Sequence, residues 1–282
     1  MSKLAHQGIV RENIRGDHLK FIYKRLRKLE WSPSPIVVDE FLQSRPSYMV
    51  PSGEVLWGII VEARKHPLLE HVVMNVHSTL GIPIQIYHGK SSQEFIMSTA
   101  IGPLVEKGEI VLTPLRVDTL YPPANHSGFI LSPEFWYSMC AREKILLFQT
   151  DAILCSKSDY SIHDFLQFDY IGSNWNLNRE NNLKVSGGCG GLSVRDWKKS
   201  VECLERFPPE YWEGGEDVYF AFLLDVMGGK VADKQACLRF CTQEEFAEES
   251  FGAHDITSLD SASLQTFLEY CPEAKPLIDG LA

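Results

Sequence analysis

The sequence predicts an α/β domain built around a mainly parallel central sheet. One observation is a short apolar run at 55–61, followed by a helical pattern at 67–80 and a second apolar run at 82–87. Strand, helix and strand at this spacing are typical of a parallel α/β sheet. Another is a nearly uninterrupted apolar run at 145–149, which is typical of a buried strand and is closely followed by Asp151. A chain of 282 residues is long enough for one large α/β domain or two small ones.

The individual elements follow from their apolar patterns. The first helix has apolar side chains at spacings of three and four residues, at Leu68, Leu69, Val72, Val73 and Val76. Further patterns predict a strand at 110–114, a short helix at 133–140 and helices at 195–206 and 216–227. Between 165 and 191 the pattern is less regular, with aromatic residues, then a polar loop, then a run rich in glycine.

Residues 1–51 are predicted to form a separate basic segment ahead of a domain at 52–282. Eight Lys or Arg face three acidic residues in the first 31 positions, and Asp17 could cap a helix with apolar residues at Leu19, Ile22, Leu26 and Leu29. The favoured interpretation is a solvated helix that packs one apolar stripe on the domain. The alternative is a weak, peripheral membrane-surface or partner-binding helix. Prolines up to residue 51 indicate a connecting segment.

Composition and charge exclude several classes of protein. The net charge of −10 argues against nucleic-acid binding by the whole surface. No apolar stretch reaches the ~18 residues that a membrane span needs, and the N-terminus lacks the apolar core of a secretory signal. The seven cysteines are scattered and odd in number, which favours a reducing compartment over a disulfide framework. We therefore expect a cytoplasmic protein without a transmembrane segment and without a nucleic-acid partner.

Asp151 is the first candidate for chemistry. Ligands of open α/β sheets bind at the carboxyl ends of the strands, and a carboxylate buried there needs a cation or hydrogen-bond donors. A divalent cation held by Asp151 and His254 would leave positions for diphosphate oxygens. The alternatives are that Asp151 caps a helix or forms a turn, and that His254 is an ordinary core or surface residue.

Glu216 and Asp217 are the second candidate, because they follow two glycines at the start of a predicted helix. Acidic residues there commonly complement the helix dipole, and a general base would occupy the same place.

The third candidate is the glycine-rich run at 187–191. It fits a Gly-x-nucleophile-x-Gly pattern with Cys189 in the middle, but a backbone surface for a flat ligand such as a sugar ring suits it better.

Taken in order, seven stretches resemble an uncharacterised glycosyltransferase-like family of fungi, algae and large DNA viruses, and through it the nucleotide-sugar glycosyltransferases of the A-type fold. They span roughly residues 55 to 255. The stretches are Val-Glu-Ala-Arg-Lys-His-Pro-Leu-Leu-Glu (61–70), Ile-Pro-Ile-Gln-Ile-Tyr-His-Gly (82–89), Ser-Pro-Glu-Phe-Trp (132–136), Lys-Ile-Leu-Leu-Phe-Gln-Thr-Asp (144–151), Phe-Asp-Tyr-Ile-Gly-Ser-Asn-Trp (168–175), the glycine-rich 187–191 and Gly-Glu-Asp-Val-Tyr-Phe (215–220).

The resemblance implies a single A-type domain, with a Rossmann-like nucleotide-binding half and an acceptor-binding half. The donor would contact the end of the first strand, at Val61, Glu62 and Arg64, and the mid-chain triplet at Gln149 and Asp151. In the family this triplet is Asp-x-Asp and binds Mn²⁺ or Mg²⁺, with a late histidine as a further ligand. Here only the last carboxylate remains, and the histidine would be His254.

The resemblance also implies a catalytic base and an acceptor site. In inverting members a Glu-Asp pair ahead of a helix supplies the base, which would be Asp217, with Glu216 as second choice. The acceptor would contact Gly190, Gly191 and the ring faces of Trp175 and Trp212, although core packing is the alternative for both tryptophans.

The function that these residues imply is transfer of a hexosyl or pentosyl group from a nucleotide sugar, with a UDP-sugar favoured. The acceptor would be a hydroxyl group of a carbohydrate, a glycoprotein or another molecule, and the reaction would be inverting and assisted by a metal ion. The alternative is a non-catalytic sugar- or nucleotide-binding protein on the same fold, which the missing first Asp of the triplet favours.

Overall fold

The computed structural model describes residues 55–174, 187–209, 212, 214–246 and 249–279. The predicted basic helix and connecting segment at 1–51 therefore lie outside the described residues, and their place beside a domain at 52–282 stays a prediction. Within the described residues, no helix is both long enough and apolar enough to cross a membrane.

A six-stranded sheet lies at the centre of the molecule, with the strand order β3-β2-β1-β4-β7-β6. The first four strands in this order are parallel, and β7 runs antiparallel to both β4 and β6. The predicted α/β fold class with a mainly parallel sheet is confirmed. The strands are β1 (Leu56–Glu62), β2 (Ile84–His88), β3 (Ile110–Pro114), β4 (Lys144–Phe148), β6 (Tyr170–Ser173) and β7 (Cys189–Asp196).

Helices cover both faces of this sheet. Successive residues of β1 point to opposite sides, so Ile60 belongs to one apolar core and Ile59 to the other. Helices α1–α3, α8 and α9 pack in the first core, and α4–α7 pack in the second. The helices are α1 (Leu69–Leu80), α2 (Gln93–Met97), α3 (Ile101–Glu106), α4 (Pro123–Ile130), α5 (Pro133–Ser138), α6 (Trp197–Arg206), α7 (Glu216–Val226), α8 (Lys234–Phe240), α9 (Ser261–Tyr270) and α10 (Lys275–Asp279).

A small second sheet lies beside the end of β4, and the sequence patterns did not predict it. It has the order β5-β9-β8, with β5 at Ala152–Leu154, β8 at Cys241–Thr242 and β9 at Gly252–His254. Ala152 pairs with His254 across the antiparallel β5–β9 ladder. This pairing brings a strand from the C-terminal part of the chain next to the residues that follow β4.

Two cysteines form a disulfide, which the scattered and odd-numbered cysteines of the sequence did not predict. Cys155 follows β5 and Cys271 follows α9, and their Cα atoms are 5.1 Å apart. This separation is within the usual range of about 4.4–6.8 Å for disulfides. The other five cysteines are free, so there is one cross-link rather than a disulfide framework.

Candidate functional site

A cavity of about 240 Å³ opens at the carboxyl ends of β1 and β4, which are neighbours in the central sheet. This is where ligands of open α/β sheets bind. The wall opposite these strand ends comes from the loop before α4 and from α4 itself. The lining residues are Val61, Glu62, Ala63, Arg64, Thr119, Leu120, Tyr121, Pro123, His126, Gln149, Thr150 and Asp151.

Glu62 and Arg64 form a fixed pair at the end of β1. The buried Glu62 carboxylate accepts hydrogen bonds from the Arg64 backbone N–H at 2.8 Å, from Nε at 2.9 Å and from Nη2 at 2.7 Å. The hydrogen bonds that Arg64 donates to the Glu62 carboxylate raise the pKa of Arg64, and burial opposes this effect. The Arg64 side chain is 60% exposed, so it remains accessible to an anionic ligand.

Asp151, His254 and Gln149 meet just beyond β4, as a consequence of the β5–β9 ladder. The His254 Nε2 atom lies 3.3 Å from Oδ1 of Asp151 and donates to Oε1 of Gln149 at 3.2 Å. Burial opposes the charge of His254, but the neighbouring Asp151 and Cys189 side chains outweigh it and raise the pKa of His254 to about 10. Burial likewise opposes the charge of Asp151, and the contact with His254 lowers its pKa. The two residues therefore form an ion pair.

The atoms of this cluster suit a divalent cation. A carboxylate oxygen, an amide oxygen and an imidazole nitrogen converge, and this donor set is compatible with Mn²⁺ and, through its oxygens, with Mg²⁺. The described residues contain no group of three or more His, Cys, Asp and Glu that could hold a metal ion. The uncharged oxygen of Gln149 is the further donor beside Asp151 and His254, and a bound cation would take the place of the Nε2 proton of His254.

Glu216 is held by a buried arginine. The Arg195 Nη1 and Nη2 atoms donate to the two carboxylate oxygens at 2.5 and 3.0 Å, and Arg195 is fully buried. Its guanidinium also lies over the rings of Tyr170 and Phe220, at 5.1 and 5.4 Å from their centroids. Burial opposes the charge of Arg195, yet the Glu216 carboxylate raises its pKa. Both oxygens of Glu216 are thus occupied.

Asp217, one residue further along α7, is only partly buried and lacks such a partner among the described side chains. Its Oδ1 accepts from the Val218 N–H at 2.8 Å, and its Oδ2 accepts a long hydrogen bond of 3.4 Å from the Gly190 N–H. Burial, followed by the charge of Glu216, raises the pKa of Asp217. A carboxylate with a raised pKa and accessible surface is suited to accept a proton.

Gly190 and Gly191 connect the two clusters. A Cβ atom on Gly190 would lie 2.5 Å from Oε1 of Glu216 and 3.2 Å from Cβ of Asp217, whereas one on Gly191 would lie 1.9 Å from Nε2 of His254. Only glycine permits this close approach on both sides. The glycine-rich run continues directly into β7 rather than into a helix, which disagrees with a nucleophile elbow at Cys189.

Of the two tryptophans that were predicted to contact the acceptor, Trp212 lies within the described residues. Trp212 is 1% exposed, donates from Nε1 to the Gly215 carbonyl at 3.1 Å and packs edge-on against Tyr219. It therefore has the core-packing role that was the alternative, and in this structure it offers no free ring face to a sugar. Trp175 lies outside the described residues.

Two residues of the site were not found from the sequence. Arg195 lies in β7, whereas its position was predicted as the first of the helix at 195–206, so nothing indicated that it faces Glu216. His126 lines the cavity from α4, a helix that was not predicted. A buried arginine next to an acidic pair leaves no periodic signal, and neither does a single histidine on a short helix.

Comparisons with known proteins gave structural likenesses of low identity. The apo-form glycosyltransferase GlyE of Streptococcus pneumoniae TIGR4 matches with a TM-score of 0.45 and 11% identity, over 81% of this chain and 63% of GlyE. TarS 1–349 of S. aureus in complex with UDP matches with a TM-score of 0.42 and 10% identity, over 80% and 65% of the two chains. A putative glucose-1-phosphate thymidylyltransferase of Bacillus anthracis matches with a TM-score of 0.37 and 15% identity, over 60% and 82%.

No curated protein matches the chain. One family model does match, over residues 112–254, which is just over half of the chain. The matched segment begins in β3, ends at His254 and includes both glycines and the Glu216–Asp217 pair. The chain is therefore a member of the family described as "Protein of unknown function (DUF5672)".

Proposed function

We propose that the protein is a nucleotide-sugar-dependent glycosyltransferase that transfers a hexosyl or pentosyl group to a hydroxyl acceptor with inversion. The observation that carries the proposal is the position of Gly190 and Gly191. They join a cluster suited to a cation and diphosphate, at Asp151 and His254, to a carboxylate suited to general-base catalysis, Asp217. A single displacement needs these two functions on either side of one reacting carbon atom.

The donor would occupy the cavity at the ends of β1 and β4. Val61, Glu62 and Arg64 would contact the base and ribose of a nucleotide, with a UDP-sugar favoured, and the exposed side chain of Arg64 suits an anionic ligand. Gln149 and Asp151 would lie next to the diphosphate. The volume of about 240 Å³ is below the ~300–1,000 Å³ of a typical ligand site, so the cavity would enclose only part of such a donor.

Asp151, His254 and Gln149 would hold a Mn²⁺ or Mg²⁺ ion through their oxygen and imidazole donors. When bound, such an ion offsets the charge that develops on the leaving diphosphate, which is the Lewis-acid role of metals in catalysis. His254 must release its Nε2 proton to act as a ligand, while Asp151 keeps its negative charge in both states.

In the transfer step, Asp217 would accept the proton of the acceptor hydroxyl as its oxygen forms a bond to the anomeric carbon. The bond from that carbon to the diphosphate oxygen breaks, and its electron pair leaves with the nucleoside diphosphate. Glu216 is the second choice for the base, because its two oxygens are held by Arg195. Gly190 and Gly191 would let the acceptor approach the carboxylate closely.

A screen of UDP-, GDP- and dTDP-sugars with Mn²⁺ and simple sugar acceptors tests the proposal, with released nucleotide as the readout. We expect release of nucleotide from at least one UDP-sugar, and an acceptor-dependent product whose anomeric configuration is opposite to that of the donor.

A second candidate is a non-catalytic sugar- or nucleotide-binding protein, which Gln149 in place of a carboxylate favours. Tight nucleotide binding in calorimetry, without release from any donor, would establish that candidate instead.

A further inference from the structure

His126 has no part in the function proposed above, yet it lines the donor cavity. It lies in the first half of α4, and Phe129 and Ile130, three and four residues later on the same side of the helix, are fully buried. His126 itself is only partly buried. Its side chain therefore lies where the apolar core meets the cavity, and the ends of β1 and β4 line the same cavity.

The position of α4 places His126 between the two ends of the site. This helix packs against α7, which begins with the Glu216–Asp217 pair. Charged groups at both ends act on His126: Glu216 and Arg195 at the base end, and Glu62 and Arg64 at the nucleotide end. In a single displacement, the group located between the leaving diphosphate and the base is the sugar that is transferred.

The chemistry of His126 suits sugar hydroxyls. Burial lowers the pKa of its imidazole. The two carboxylates oppose this effect and Arg195 and Arg64 add to it, so the ring is neutral near neutral pH. A neutral imidazole has one N–H donor and one acceptor nitrogen, which can bind two hydroxyl groups of a sugar. Among the described residues no side chain forms an ion pair with it, and a charged lysine or arginine at this place would instead favour phosphate.

We infer that His126 is a specificity-determining residue that binds hydroxyl groups of the donor's sugar, in the part of the cavity lined by α4. This inference rests on the proposed function. It goes beyond it by assigning sugar recognition to a residue on α4, on the wall that faces the ends of β1 and β4.

Calorimetry with UDP, UDP-glucose, UDP-galactose, UDP-N-acetylglucosamine and UDP-xylose in Mn²⁺ tests the inference. The difference in affinity between UDP and the best UDP-sugar measures the contribution of the sugar alone. His126→Ala should weaken binding of the best UDP-sugar by about tenfold, which corresponds to the loss of one or two hydrogen bonds. The affinity for UDP itself should stay unchanged. His126→Gln keeps a donor and an acceptor and should restore part of the difference.

His163→Ala is the matched control, because His163 is exposed on a short 3₁₀ turn (Ile162–Asp164) and does not line the cavity. Circular dichroism and thermal unfolding of each variant identify any loss of fold. Equal losses of UDP and UDP-sugar affinity in His126→Ala would assign the residue to the nucleoside and overturn the inference, as would an unchanged affinity difference. If none of the five compounds binds the wild-type protein, the proposed function itself fails, which is a separate outcome.

Discussion

At the scale of single residues, two neighbouring carboxylates have opposite surroundings. Glu216 is buried and paired through both oxygens with Arg195, whereas Asp217 accepts hydrogen bonds from backbone N–H groups alone within the described part of the chain. When two adjacent titratable groups differ in this way, their environments assign them different roles. The pattern of glycines and acids predicted that the pair is important, but only the contact with Arg195 separates the two members.

We expect Asp217→Asn to reduce the transfer rate by ~10²–10⁴-fold, the usual contribution of a positioned general base. The affinity for the nucleotide donor should stay near that of the wild type, because the base contacts the acceptor hydroxyl. Released nucleotide and calorimetric donor affinity measure the two quantities. Full activity in this variant would leave Asp217 as an ordinary first-turn residue of α7.

Glu216→Gln is the matched control for this variant. It leaves the buried Arg195 without its counter-charge, which typically costs about 3–5 kcal/mol of folding free energy. Its main effect should therefore be a lower midpoint of thermal unfolding, which Asp217→Asn should not share. If Glu216→Gln keeps the wild-type stability and loses more activity than Asp217→Asn, the roles within the pair are exchanged.

The rate should also depend on pH through Asp217. A base must be deprotonated, and burial together with the charge of Glu216 raises the pKa of Asp217, while Arg195 and the backbone donors only partly offset them. The maximal rate should accordingly be low in acid, increase with pH through this raised pKa and then level off. A pH–rate profile measures this, and the acidic limb should be absent from the residual activity of Asp217→Asn.

At the scale of elements, the site is assembled where β4, β7 and β9 meet. Strands β1 to β4 were predicted within two residues at either end, because they are apolar and buried on both faces. Strands β6 and β7 contain glycine and serine, and β9 has three residues, so their pairing depends on contacts that are distant in the sequence. For this reason Asp151 and His254 could be proposed as a pair from their chemistry and from the family resemblance, but the β5–β9 ladder that joins them could not be predicted.

Asp151→Asn should weaken binding of UDP by about tenfold or more in Mn²⁺, and far less in EDTA, because the variant removes the negative ligand next to His254. Gln149→Asp should have the opposite effect in Mn²⁺, since it adds a second carboxylate beside the same imidazole. Calorimetry of both variants with and without the metal ion measures these affinities. Equal losses in Mn²⁺ and in EDTA would make Asp151 a structural residue.

At the scale of the whole molecule, the disulfide joins parts of the chain that are 116 residues apart. Cysteine spacing did not predict it, because Cys155 and Cys271 are brought together by the packing of β5 against the 3₁₀ turn at Pro272–Ala274. Closing a loop of this length limits the freedom of the unfolded chain and stabilises the folded state by about 4–5 kcal/mol in the chain-entropy description.

We expect reduction of the wild-type protein with dithiothreitol to lower its midpoint of thermal unfolding by several degrees, following this loss of stability. Cys271→Ser should show the lower midpoint from the start and should not respond to the reductant. Cys237→Ser removes a buried free thiol and is the matched control, which should still respond. If the wild-type midpoint is the same with and without reductant, the two cysteines remain thiols in solution.

The strand order has a consequence for any shortened version of this protein. The family match covers residues 112–254, so a truncated protein with these bounds would lack β1, β2 and the first residues of β3. Because β1 and β2 lie between β3 and β4, their removal would take out the middle of the sheet and expose an unpaired edge on β4. A fragment limited to the matched segment is therefore expected to be insoluble. A soluble fragment should start before Leu56, so that it contains β1 and β2.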